Sequence, residues 1–216
     1  MTPPTDSSIT FESDQAAGYK PAIEKAKQRL ARTPVQEITD RTGIKFIEDS
    51  KQFILPALNK QYYIEYPTGK ITSPTDNEIK SGLKIVILHY LLRANDWPLK
   101  DKLIPYRKLP GGTAYNAAFE REAINPISDN FCSDPEQLKS AAQKLGAKFL
   151  TKGDLSFTIE VLPSIPLTYI LWKSDDELPG SSNILFDSSA ITKLHTEDLA
   201  FLGEYTTYLL LKHSEQ

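Results

Sequence analysis

Apolar residues along this chain recur with a helical period in some stretches and alternate or cluster in others, and the two patterns come in blocks. Ile23, Ala26 and Leu30 share one face of a helix predicted to begin near Ala22. Thr33-Pro34-Val35-Gln36 restarts a helix: Thr33 is placed to cap it, Pro34 needs no amide donor in the first turn, and Gln36 can close a capping box. Gly43 ends that helix, because glycine takes the left-handed conformation without a Cβ penalty. Ile44–Glu48, Gln52–Leu55 and Gln61–Tyr66 are rich in β-branched and aromatic residues and predict a three-stranded antiparallel meander, closed by the turn Pro67-Thr68-Gly69-Lys70. Thr75-Asp76-Asn77-Glu78 reads as a second capping box, opening a helix over about 77–94. Its middle, Ile85 to Leu92, is interrupted only by His89 and predicts a helix covered on all sides.

Ala114 to Ala123 is helical in its spacing, with Tyr115, Ala118 and Phe119 in register, and Ser133-Asp134-Pro135-Glu136 caps a helix through Leu145, ended by Gly146. Leu155 to Val161 then alternates faces, Pro166 to Trp172 is more continuously apolar, and Asn183 to Asp187 is a third strand. A last helix, capped by Thr196 with Glu197 and Asp198 in its positive first turn, runs towards His213. Helices, strands, helices, strands, helix, without βαβ alternation, predict an α+β fold with antiparallel or mixed sheet regions around the buried central helix.

The 216 residues suit one domain, expected over 19–216. Residues 1–18, rich in Pro, Ser, Thr, Asp and Gln, are expected to form a disordered or loosely docked arm. With 40% apolar residues and a net charge of −3, global disorder is excluded. A pI near 5.7 argues against a large sequence-independent attraction to phosphate backbones, so nucleic acid is not an expected partner. Cys132 is the one cysteine, which excludes an intrachain disulfide, a CxxC zinc site and an iron–sulfur cluster held by this chain alone. No basic and apolar leader opens the chain and no apolar run nears the roughly 20 residues of a membrane helix, so the expected location is the cytoplasm.

Pro110-Gly111-Gly112-Thr113, leading into a helix, is the most suggestive local feature. Paired glycines let a backbone approach a ligand and the amides of a helix start favour an anion, with Arg107, Lys108 and Arg121 nearby; the same residues equally make a tight turn. The loop is neither a Walker loop nor GxGxxG, so nucleotide binding has no motif support. His89 suits either a metal ligand or base, or a structural histidine bonded to a backbone carbonyl. Asp187 is a candidate acid–base group at a strand end, or a cap for Ser188-Ser189. Asp175-Asp176-Glu177 is either a cation site or a solvated loop.

Leu88-His89-Tyr90-Leu91, Leu109-Pro110-Gly111-Gly112 with Tyr115 and Phe119, Leu171-Trp172, Ile184-Leu185-Phe186-Asp187 and Thr196-Glu197-Asp198-Leu199 together resemble a prokaryotic family of unknown function, DUF3786, over roughly Tyr19 to Leu211. Some relatives look fused to a cysteine-rich iron–sulfur module of a kind also found in the corrinoid iron–sulfur protein of one-carbon metabolism. The resemblance therefore implies a corrinoid (cobalamin) or related tetrapyrrole as ligand, and a protein of the corrinoid or methyltransferase systems as partner; Cys132 alone cannot build the module.

The expectation is a ligand-binding protein whose pocket lies between the apolar helix and the sheet. The Gly111-Gly112 turn, Arg107 and Arg121 would make anion contacts, and Tyr106, Tyr115, Phe119 and Trp172 aromatic walls, with His89 or His195 as axial ligand to a bound cofactor. The competing expectations are an enzyme using acid–base chemistry on an anionic small molecule, and a plain protein–protein interaction module with no deep pocket.

Overall fold

The computed structural model describes residues 13–76, 78–175 and 177–215. Helix α1 (Ser13–Leu30) begins upstream of the Ala22 start that the apolar spacing predicts; residues 1–12 of the expected arm lie outside the described residues. In α2 (Val35–Thr42) Pro34 holds the cap position. Thr33 instead turns its hydroxyl back to the Arg29 carbonyl, at 2.9 Å, and so finishes α1. Gly43 ends α2 at φ 68°, as expected.

Strands β1 (Lys45–Ile47), β2 (Gln52–Ala57), β3 (Lys60–Glu65) and β4 (Ile71–Thr72) form an antiparallel sheet in that order, one short strand more than the predicted meander. Ala57 pairs with Lys60 across a two-residue turn in which Leu58 and Asn59 both have positive φ, the handedness that matches the twist of a hairpin. Phe53, Leu55, Tyr62 and Ile64 point into the core from one face.

Helix α3 (Ser81–Arg93) is the predicted buried helix, but it starts four residues late. The Thr75–Glu78 box does not cap it. Asp76 instead accepts a hydrogen bond from the Tyr62 hydroxyl at 3.3 Å and lies 3.6 Å from the Lys60 ammonium, so it ties the loop to β3. Along α3 only Ser81, Lys84, His89 and Arg93 are not buried. Arg41 closes the far end of the helix by donating to the Leu91 and Ala94 carbonyls, two of the acceptors that a helix end leaves without partners.

The second sheet is antiparallel in the order β5-β9-β8-β7-β6, built from β5 (Leu103–Pro105), β6 (Lys148–Leu150), β7 (Leu155–Leu162), β8 (Ile165–Trp172) and β9 (Ser181–Asp187). The continuously apolar β8 is its centre, paired on both sides. Between the sheets in sequence come α4 (Gly112–Phe119), a π turn (Glu120–Ile124), α5 (Asn125–Phe131) and α6 (Pro135–Lys144). Helix α7 (Thr196–Ser214) packs on α3, α4 and α6, so one continuous core links both sheets through the helices. The fold is α+β, as expected. No helix among the described residues is long and apolar enough to cross a membrane.

Candidate functional site

Two close helix contacts set the position of α7. A Cβ on Gly82 of α3 would meet the Phe201 ring at 2.1 Å, and one on Gly203 would meet the Phe119 ring at 2.5 Å, so each glycine lets an aromatic ring of a neighbouring helix approach its backbone closely. The start of α7 is fastened to the glycine loop, because the Thr196 hydroxyl donates to the Pro110 carbonyl at 2.7 Å. Between α7, the start of α4 and α1 this leaves a cleft of about 410 Å³, lined by Tyr19, Tyr106, Gly111, Ala114, Tyr115, Thr196, Glu197, Ala200, Phe201 and Glu204. Its walls are helices, not the helix–sheet junction expected from the sequence.

Of the expected ligand contacts, Tyr106, Gly111 and Tyr115 line this cleft and the others do not. Gly112 is buried with its amide donating to the Leu109 carbonyl at 2.9 Å; glycine is required there because a Cβ would stand 2.2 Å from the Tyr106 carbonyl oxygen. Gly111 takes φ 77° beside open space. Phe119 is fully buried and stacks on Tyr106 at 4.3 Å, so it is core and not wall. Arg107 is exposed and lines a separate pocket of about 220 Å³ with Asn116, Glu120, Asn125 and Asn183. Arg121 is exposed and paired with Glu122 at 2.7 Å. Trp172 is exposed at the end of β8 and does not line the cleft. The predicted convergence of two arginines on the paired glycines is therefore not what the fold builds.

Glu204 dominates the electrostatics of the cleft. Burial pushes its carboxyl up to about 7; the Tyr115 hydroxyl, which donates to it at 3.1 Å, and the charge of Arg121 pull the other way, and Glu122 adds to the rise. Burial and the Glu204 charge in turn push Tyr115 up to about 12, and burial and Glu197 do the same for Tyr106. Tyr19 is raised by burial and by the charges of Glu204 and Asp198.

Asp198 leads to the second feature. His89 Nδ1 stands 2.8 and 3.0 Å from its two carboxylate oxygens, so in the neutral ring Nδ1 donates and Nε2 is left as an acceptor. The structural histidine bonded to a backbone carbonyl is thus replaced by a histidine–carboxylate pair, with His89 part-exposed and Asp198 buried. Asp198 also accepts the His195 amide at 3.2 Å, and this makes His195 the cap of α7 in place of Thr196. The exposed His195 ring meets His89 edge-on at 5.6 Å, directly before the cleft residues Thr196 and Glu197.

The remaining candidates serve the structure. Asp187 is buried; burial raises its carboxyl, but bonds from the Ser189 hydroxyl and amide and the Lys100 amide outweigh that and hold it below the usual carboxylate range. It caps the Ser188-Ser189 turn. Cys132 is buried and its thiol is pushed up, so it is not an activated nucleophile. The amides of Glu177 and Leu178 both donate to the Asp175 side chain; Asp176 lies outside the described residues. Among the described residues no group of three histidines, cysteines or carboxylates stands together as a metal site.

Sequence reasoning missed Glu204, Tyr19, Phe201 and the buried Lys193, whose ammonium donates to the Asn95 and Trp97 carbonyls at 2.7 and 2.9 Å and so holds the connector to β5. A signal existed for Glu204: it is the only charged residue between Leu199 and Leu211 of an otherwise apolar helix.

A family model described as "Domain of unknown function (DUF3786)" matches residues 34–208. No curated protein and no solved structure matches the chain.

Proposed function

We propose a ligand-binding function for this chain, which belongs to the DUF3786 family. The observation that carries the reading is Glu204: a carboxyl held near 7 by burial, with one tyrosine hydroxyl bound to it, facing an aromatic cleft of about 410 Å³. A part-buried acid in an otherwise apolar helix calls for polar partners, of which the Tyr115 hydroxyl is one, and the volume lies in the range of small-molecule sites. Glu197 and Glu204 line the cleft and, among the described residues, no lysine or arginine does, so the ligand presents donors there, not an anionic group. A corrinoid enters this reading through its side arms: an amide arm can donate N–H groups to Glu204 while the macrocycle stays outside, with the exposed His195, which precedes the cleft residue Thr196, as the candidate imidazole.

Native mass spectrometry of protein purified from its own host tests the reading. A bound small molecule is expected, lost in Ala200→Phe, which fills the cleft; a ligand retained in that variant places binding elsewhere. Cobalamin added to the purified protein tests the corrinoid arm: an unchanged absorption spectrum and no calorimetric heat remove it.

A second reading, an enzyme, is favoured by the His89–Asp198 pair, since a carboxylate that fixes the imidazole tautomer leaves Nε2 ready to take a proton. On the molecule that native spectrometry identifies, His89→Gln then abolishes turnover and Asp198→Asn lowers it by orders of magnitude; unchanged turnover in His89→Gln overturns this.

A further inference from the structure

We propose that the cleft receives an organic cation, an alkylated ammonium group, seated against the rings of Tyr19 and Tyr115 and against Glu204. The inference rests on reading the cleft as a ligand site and adds the class of ligand.

Four rings stand in two near-perpendicular pairs: Tyr19 with Phe201 at 6.5 Å and 77°, and Tyr106 with Tyr115 at 6.3 Å and 68°. All four line the cleft. Tyr115 is exposed and Tyr19 part-buried, so these two rings are open to a guest, whereas Tyr106 and Phe201 are buried; a cation within about 6 Å of a ring centroid is drawn to the negative π face. Phe119 stacked behind Tyr106 keeps that ring from turning away.

The charges point the same way. Tyr115 of α4 donates a hydrogen bond to Glu204, and the charges of Arg121 and Glu122 in the π turn act on it; its own charge acts on Tyr19 of α1, and Glu197 of α7 lines the same cleft. Arg121, the cation among these, is engaged by Glu122 at 2.7 Å. A ligand cation adds to the compensation that the Tyr115 hydroxyl and the Arg121 charge give an ionised Glu204; a neutral guest adds none and an anion is repelled. Alkylation matters because a bare ammonium is strongly hydrated and gives up water at high cost on entering an aromatic site, whereas an alkylated one spreads its charge over carbon. The sign of the pH dependence follows: the cation binds the ionised carboxylate, so affinity rises as pH rises through 7 and binding near pH 7 releases a proton.

Calorimetric titration of the full chain with choline and tetramethylammonium, beside the neutral isostere 3,3-dimethylbutan-1-ol and the anion acetate at fixed ionic strength, tests this. The cations are expected to bind at pH 8 at least about tenfold more tightly than the isostere, with that preference lost at pH 5.5 and in Glu204→Gln. Glu204→Gln keeps the shape of the side chain, and an unchanged far-UV spectrum confirms its fold. An isostere that binds as well as choline, and loses binding in Ala200→Phe, overturns the cation proposal and leaves the ligand cleft standing. Absence of binding by every probe, together with no retained molecule in native spectrometry, overturns both. Cation binding that persists in Glu204→Gln with the isostere still discriminated against also overturns the role given to Glu204.

Discussion

A Cβ on Gly112 would stand 2.2 Å from the Tyr106 carbonyl oxygen, whereas one on Gly111 would meet nothing within 4 Å and be disfavoured only by φ 77°. Gly111→Ala is therefore expected to cost about 1–2 kcal/mol, the left-handed penalty of an L-residue. Gly112→Ala, which must move backbone, costs more and also shifts Tyr106 in the cleft wall. Urea unfolding of the two variants checks the order, and a Gly111→Ala loss exceeding that of Gly112→Ala contradicts it. Glu204 gives a second prediction. Its folded value, about 7, lies above the ordinary 4.5, so between those values the folded chain holds a proton that the unfolded chain has lost. Its contribution thus falls as pH rises from about 4.5 to 7, and the penalty is fully present above 7. Glu204→Gln is expected to raise Tm at pH 8 and leave it unchanged at pH 4; equal shifts at both would refute the assignment. The glycine pair was legible in the sequence as a turn, but which amide the protein itself consumes was not, because the Leu109 carbonyl reaches the Gly112 amide only once the turn closes.

Helix α3 shows what an element discloses and what it conceals. Its run of apolar residues announced a helix covered on every side, and this is what Ser81–Arg93 is. The start was misread because Thr75–Glu78 has the spacing of a capping box, while the β3 residues Tyr62 and Lys60 offer Asp76 better partners. Nothing in the local pattern said that Gly82 lies under Phe201, yet that contact sets how closely α3 and α7 approach. Gly82→Ala is expected to destabilise by about 1–3 kcal/mol through overpacking. Phe201→Leu introduced with it is expected to restore part of the loss, a coupling that a double-mutant cycle measures. Strictly additive losses would mean that the two residues do not share the contact.

At the scale of the whole molecule, the four-stranded and five-stranded sheets have no hydrogen-bonded ladder between them and are joined by one core running through α3 and α7. Such a core predicts a single cooperative unfolding step. Tryptophan fluorescence, which reads Trp97 and Trp172 on the side of the second sheet, is expected to share its urea midpoint with amide exchange in β2 and β3 of the first; separated midpoints would show that the sheets unfold as independent units. The same core decides the site, because the cleft exists only where α1, α4 and α7 fail to close upon one another.

Read alone, the chain settled its α+β class and the covered central helix, since periodicity records which face of an element avoids water. Tertiary structure alone brought His89 to Asp198 across 109 positions and Tyr115 to Glu204 across 89. It also turned Arg107 and Arg121 away from the glycines they flank in sequence. An apolar face states that it will be covered and leaves open by what, and a carboxyl shifts towards neutrality only when the residues that exclude water from it have arrived from elsewhere in the chain.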